Sequence, residues 1–76
     1  MDNKKTNTLD IKSFGLNLYE IMKEKGLTNE ELAEMLGVST RIVYNWKNGE
    51  KLPGLERAIE LVRVLGVSLD SILRSR

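Results

Sequence analysis

Residues 27–49 read LTNEELAEMLGVSTRIVYNWKNG, two short amphipathic runs joined by only GVS. Thr28 can cap the first run, and Glu31 stands three residues later, where its carboxylate can complete a capping box. Leu32, Ala33 and Leu36 share one face of that run, and Gly37 closes it at a position suited to a left-handed backbone. Ser39 caps the second run, in which Val43 and Trp46 lie three apart and face inward, with Asn48 and Gly49 at its end. Two helices joined so tightly through a glycine must cross steeply instead of lying antiparallel. Ala33 is small where they approach, and Val38, Val43 and Trp46 hold the second helix to a core. Its other flank carries Thr40, Arg41, Tyr44 and Asn45, where a plain surface helix usually shows Glu and Lys.

Working outward, Phe14, Leu18, Ile21 and Met22 recur at helical spacing in a first helix that Asp10 or Ser13 can cap and Gly26 ends. Residues 1–9 are polar and predict a flexible tail, leaving residues 10–76 as the domain. Lys4 and Lys5 offer a basic arm within that tail. On the other side, residues 55–65 predict a helix with Gly54 as a permissive cap and Gly66 as its stop. Leu55, Ala58, Ile59, Leu61, Val62 and Leu65 cover a wide arc, which predicts a central position for it. Ser68 caps a last short helix to about residue 74, burying Leu69, Ile72 and Leu73. No strand alternation or repeat interrupts the pattern. The expectation is all-α: a compact five-helix domain containing a helix-turn-helix.

Seventy-six residues allow one domain, with a thin margin of stability. The chain has no cysteine and no histidine, so disulfides, the usual zinc ligands and histidine-based catalysis are not available. No cofactor or metal is expected. Without a phosphate-cradling glycine loop or a pocket-sized core, neither is an enzyme. The longest apolar run is far below membrane-spanning length and the N-terminus is polar, so a soluble, cytoplasmic chain without a membrane partner is expected. Net charge is +1, too small to announce nucleic-acid binding. Its distribution says more: Glu30, Glu31 and Glu34 crowd the first run, whereas Arg41, Lys47 and Lys51 fall in and after the second.

A steeply crossed helix pair projects the start and one flank of its second helix, where a DNA major groove can receive them. Here the chain resembles the lambda-repressor-like, Cro-type helix-turn-helix proteins, the XRE family, over residues 14–73. FGLNLYEIMKEKGLT is similar to that family's first helix, and ELAEMLGVS to its second helix and turn. VYNWKNGEKLP is similar to its recognition helix and following loop, and LERAIELVRVLGVSLDSIL to its closing helices. The resemblance implies a five-helix domain that binds operator DNA as a transcriptional regulator, usually as a dimer. By position it implies base contacts from Thr40, Arg41 and Asn45, with Tyr44 at the margin. Asn29, Ser39, Lys47, Asn48 and Lys51 fall at backbone contacts.

Two positions depart from the family pattern. Asn29 stands where the family usually has a glutamine that holds a DNA phosphate. Met22 and Lys47 replace an arginine and a glutamate that commonly pair. The expectation is that Met22 packs along the alkyl stem of Lys47 and leaves its ammonium free to attract phosphate.

The leading functional expectation is a sequence-specific regulator, a repressor, that inserts its third helix into double-stranded DNA as a homodimer. Leu52, Leu69, Ile72 and Leu73 are the candidate dimer contact, with Leu16 and Tyr19 as the alternative. An antitoxin or restriction-modification controller that represses its own promoter is the second reading, with a toxin or regulator as a possible protein partner. A helical protein-interaction module without DNA binding is the third. It calls for an acidic or apolar third helix, whereas Thr40, Arg41 and Asn45 can read base edges.

Overall fold

The computed structural model describes residues 10–76 as five helices, with no strand among the described residues. They are α1 (Ile11–Lys25), α2 (Asn29–Leu36), α3 (Thr40–Lys47), α4 (Leu55–Leu65) and α5 (Leu69–Leu73). The expected tail of residues 1–9, with its basic arm of Lys4 and Lys5, lies outside the described residues.

Short polar side chains set where the helices begin. Asp10, not Ser13, caps α1: its carboxylate accepts from the Lys12 and Ser13 amides, and the Ser13 hydroxyl donates to it at 2.7 Å. Thr28 and Glu31 exchange hydrogen bonds of 2.9 and 3.0 Å in a complete capping box on α2. The Ser39 hydroxyl accepts from the Ile42 amide at 3.3 Å and Ser68 accepts from Ser71 at 3.1 Å, opening α3 and α5. Gly37 ends α2 at φ +73°, a backbone that a side chain would strain, and this lets the chain turn directly into α3.

Phe14, Leu18, Met22, Leu32, Val43, Leu61, Leu65 and Ile72 are fully buried, with Ala33, Leu36 and Trp46 beside them. The helix α1 packs on α3 and α5, and α4 rests on α2 and α5. The wide apolar arc of α4 had suggested a central position for it. Only Ala58, Leu61 and Leu65 of that arc are buried, while Leu55 is 72% exposed and Ile59 40%. The reason is steric: both neighbours meet α4 along one stripe, and Leu55 and Ile59 lie outside it, however apolar they are. Arg57 anchors α4 instead, donating at 3.1 Å to the Leu36 carbonyl at the end of α2 and pairing with Glu60 at 2.7 Å.

One of the expected dimer contacts, Ile72, is instead in the core, while Leu69 and Leu73 lie half-buried against it.

A polar staple joins the two ends of the described chain. The buried Asn17 Nδ2 donates to the Ile72 and Arg74 carbonyls, both at 2.9 Å, and its Oδ1 accepts from Arg76 Nε at 2.6 Å. The Arg76 amide donates to the Ser13 hydroxyl at 2.9 Å, and its guanidinium pairs with Glu20 at 2.6 Å. Hydrogen bonding and then the charge of Arg76 hold the Glu20 carboxyl below its ordinary range. Asn17→Ala removes the buried amide and strands two carbonyls. The expected loss is about 1–3 kcal/mol of folding stability, read as a lower urea midpoint at unchanged slope.

One glycine fixes where α3 sits. A Cβ added at Gly15, inside α1, would lie 2.5 Å from the Lys47 carbonyl oxygen and 2.8 Å from that of Trp46. Both obstructing atoms are helix backbone and cannot swing aside. Gly15→Ala should gain roughly 1 kcal/mol in helix propensity and lose more by forcing α1 off α3, since overpacking costs about 1–3 kcal/mol. A net fall in melting temperature is the expected result. A rise would mean that the two helices are not held this closely.

Candidate nucleic-acid interface

The α3 helix is amphipathic across its width. Val43 and Trp46 are 0% and 3% exposed, while Thr40, Arg41 and Tyr44 are exposed and Asn45 is half-buried. Eight residues cannot hold a helix in water by themselves. The seat formed by Val43 and Trp46 therefore does two things at once: it stabilises the helix and decides which flank faces out. Arg41 falls in the first turn, two residues beyond the Ser39 cap, and has no ion pair among the described residues. A cation there opposes the helix dipole, at a cost of about 0.3–1 kcal/mol.

Asn29 opens α2, and Asn48 and Lys51 follow α3. The fold brings Asn29, Tyr44, Lys47 and Asn48 together with Leu16 and Tyr19 around one shallow groove between α1, α2 and α3. Ser39, Thr40 and Arg41 lie nearer the start of α3, outside that lining, as does Lys51 in the following loop. The interface thus has two parts: a polar flank presented by α3 and a groove beside its last turns.

The ammonium of Lys47 is not free, contrary to the sequence expectation. It donates at 2.7 Å to the Asn29 Oδ1 and lies 5.6 Å from the centre of the Tyr19 ring. Met22, only 1% exposed, is part of the core. The cause is reach: the lysine stem spans from the last turn of α3 to the first of α2, where a carbonyl and an aromatic face both receive a cation. Sequence reading placed Tyr19 on the exposed face of α1 and missed this contact.

A family model described as helix-turn-helix matches residues 18–72. The HTH-type transcriptional activator BcrR of Enterococcus faecalis is 32% identical over 60 residues, covering 79% of this chain and 29% of BcrR. The chain therefore spans less than a third of the length of that relative. The restriction-modification controller protein C.AhdI of Aeromonas hydrophila has the same fold, with a TM-score of 0.77 at 27% identity, covering 83% of this chain and 96% of that one. The fold is also found within a larger chain, the hydroxypropylphosphonic acid epoxidase of S. wedmorenis. There the TM-score is 0.78 at 25% identity, over 86% of this chain and 35% of the epoxidase. No helix among the described residues is long and apolar enough to cross a membrane. The capped pair α2–α3, its buried seat and the matched span agree: this chain belongs to the lambda-repressor-like, Cro-type (XRE) helix-turn-helix family of DNA-binding domains.

Proposed function

We propose that the chain is a sequence-specific transcriptional regulator whose residues 10–76 bind a pseudo-palindromic operator as a homodimer, with α3 in the major groove. The observation that carries this reading is the outward flank of α3. It presents Thr40, Arg41, Tyr44 and Asn45 for base edges, on a helix whose opposite side is locked into the core. Arg41 is the chief reader, because a guanidinium can donate two parallel hydrogen bonds to the O6 and N7 of one guanine. Asn29, Ser39, Asn48 and Lys51 hold the sugar-phosphate backbone and fix the register, with Lys47 engaged beside them by Asn29.

In this reading the two recognition helices lie about 34 Å apart, one turn of DNA. The dimer contact passes from α5 to Leu52, Leu55 and Ile59, the exposed apolar residues of α4 and the loop before it. The regulator represses, by occupying promoter DNA. The likeness to C.AhdI over nearly all of that controller favours a second reading, a controller that represses its own promoter.

Selection from a random DNA pool tests the class. One enriched pseudo-palindromic motif is the expected outcome, and no enrichment would favour a protein-interaction module. On the enriched site, Arg41→Ala should weaken binding by about 1–3 kcal/mol and relax the preference at one base pair of each half-site. Lys51→Ala should weaken all sequences about equally. If Arg41→Ala lowered affinity uniformly with base preference kept, Arg41 would be a phosphate clamp and Thr40 and Asn45 the readers.

Salt dependence checks the number of phosphate contacts. Few cations stand near the groove, so the slope of log affinity against log salt for a dimer should be roughly −3 to −6, at about −0.9 per neutralised phosphate. A slope near −10, at that same roughly −0.9 each, would require cations beyond Arg41, Lys47 and Lys51.

A further inference from the structure

Asn29 and Lys47 lie on different helices, 18 residues apart in the chain, and meet at 2.7 Å. An asparagine amide can sit either way round, and only its hydrogen-bond partners decide which. An ammonium has donors and no acceptor, so the Asn29 oxygen must face Lys47. The NH2 group is then turned away from Lys47, and among the described residues no acceptor takes its hydrogens. A carboxylate at position 47 would impose the opposite orientation, with the NH2 drawn inward.

The Tyr19 ring supports the same arrangement from α1. Its centre is 5.6 Å from the Lys47 ammonium, within the range of attraction between a cation and a ring face. Tyr19 is 47% exposed and Leu16 beside it 50%, and both line the groove that also holds Asn29, Tyr44 and Asn48. The chain thus holds one cation between a carbonyl and a ring, at the edge of the surface offered to DNA.

We propose that Lys47 and Tyr19 are positioning residues for a DNA phosphate: they fix the Asn29 carbonyl inward, so that its NH2 donates outward to a phosphate oxygen. This rests on the DNA-binding reading above. It assigns Lys47 a role through Asn29, distinct from that of an independent cation, and it gives the exposed Tyr19 a function. A hydrogen bond to a charged acceptor is stronger than one between neutral groups, so a single oriented amide can matter to affinity.

A double-mutant cycle on a duplex carrying the enriched site is the test, with folding of each variant followed by Trp46 fluorescence. Asn29→Ala and Lys47→Met should each weaken binding about tenfold, the effect of one charge-assisted hydrogen bond, with base preference unchanged. In the Asn29→Ala background, Lys47→Met should cost less than about twofold, because coupled groups are not additive. Asn29→Asp keeps an acceptor for Lys47 but has no NH2, and should lose at least as much as Asn29→Ala. Lys47→Arg should restore most of the affinity. Tyr19→Leu should weaken binding only while Lys47 is present. In the free protein, Lys47→Met should shift the NMR signals of the Asn29 side-chain NH2. Losses that multiply across the cycle, wild-type binding by Asn29→Asp, or unmoved NH2 signals would each overturn the positioning roles and leave the regulator reading intact. Absence of any enriched site would instead overturn that reading, while the NMR comparison still decides the Lys47–Asn29 contact.

Discussion

A short helix that presents one polar flank outward has to be held rigidly by the other. In this chain one stripe of α3 meets that constraint. Val43 and Trp46 enter the core, and α1 runs so close behind the helix that only a glycine fits at position 15. The close approach brings the exposed face of α1 beside the last turn of α3, which is how Tyr19 comes to meet Lys47. The other packing partner of α1 is α5. The outward surface of α3 is therefore a by-product of how tightly its back is held.

Several charges stand where they support helices. Glu30 and Glu31 occupy the first turn of α2 and Lys47 the last turn of α3, each at the favourable end of its helix dipole. The ion pairs Arg57–Glu60 and Arg74–Asp70 are exposed enough that each contributes about 0–1 kcal/mol. Arg41 breaks this pattern, being a cation at the wrong end of its helix with no carboxylate beside it among the described residues. Local preferences that fail in this way are expected at functional positions, where recognition overrides helix stability.

The likeness to a controller, an activator and part of an epoxidase shows how far a fold goes as an argument. The same scaffold makes up nearly all of the controller and about a third of the other two, so function must be argued from what α3 and the groove beside it present. Here that surface is polar, with donors and cations on one side of a helix. This suits a ligand made of base edges and phosphates.

Most of the fold was legible in the sequence because its signals are local. The caps at Thr28, Ser39 and Ser68, the stop at Gly37 and the inward stripe of Val43 and Trp46 all act within four residues of themselves. The outward flank of α3 followed, since fixing one side of a helix fixes the other. What only the tertiary structure decided are contacts between residues far apart in the chain. Periodicity counted Leu55 and Ile59 as core because it records which residues are apolar, not which of them face a neighbouring helix. It passed over Asn17, whose partners are 55 to 59 residues away. It left the Lys47 ammonium free, because the carbonyl and ring that receive it belong to two other helices. Local chemistry shaped each helix; which helices lie side by side was settled by close packing.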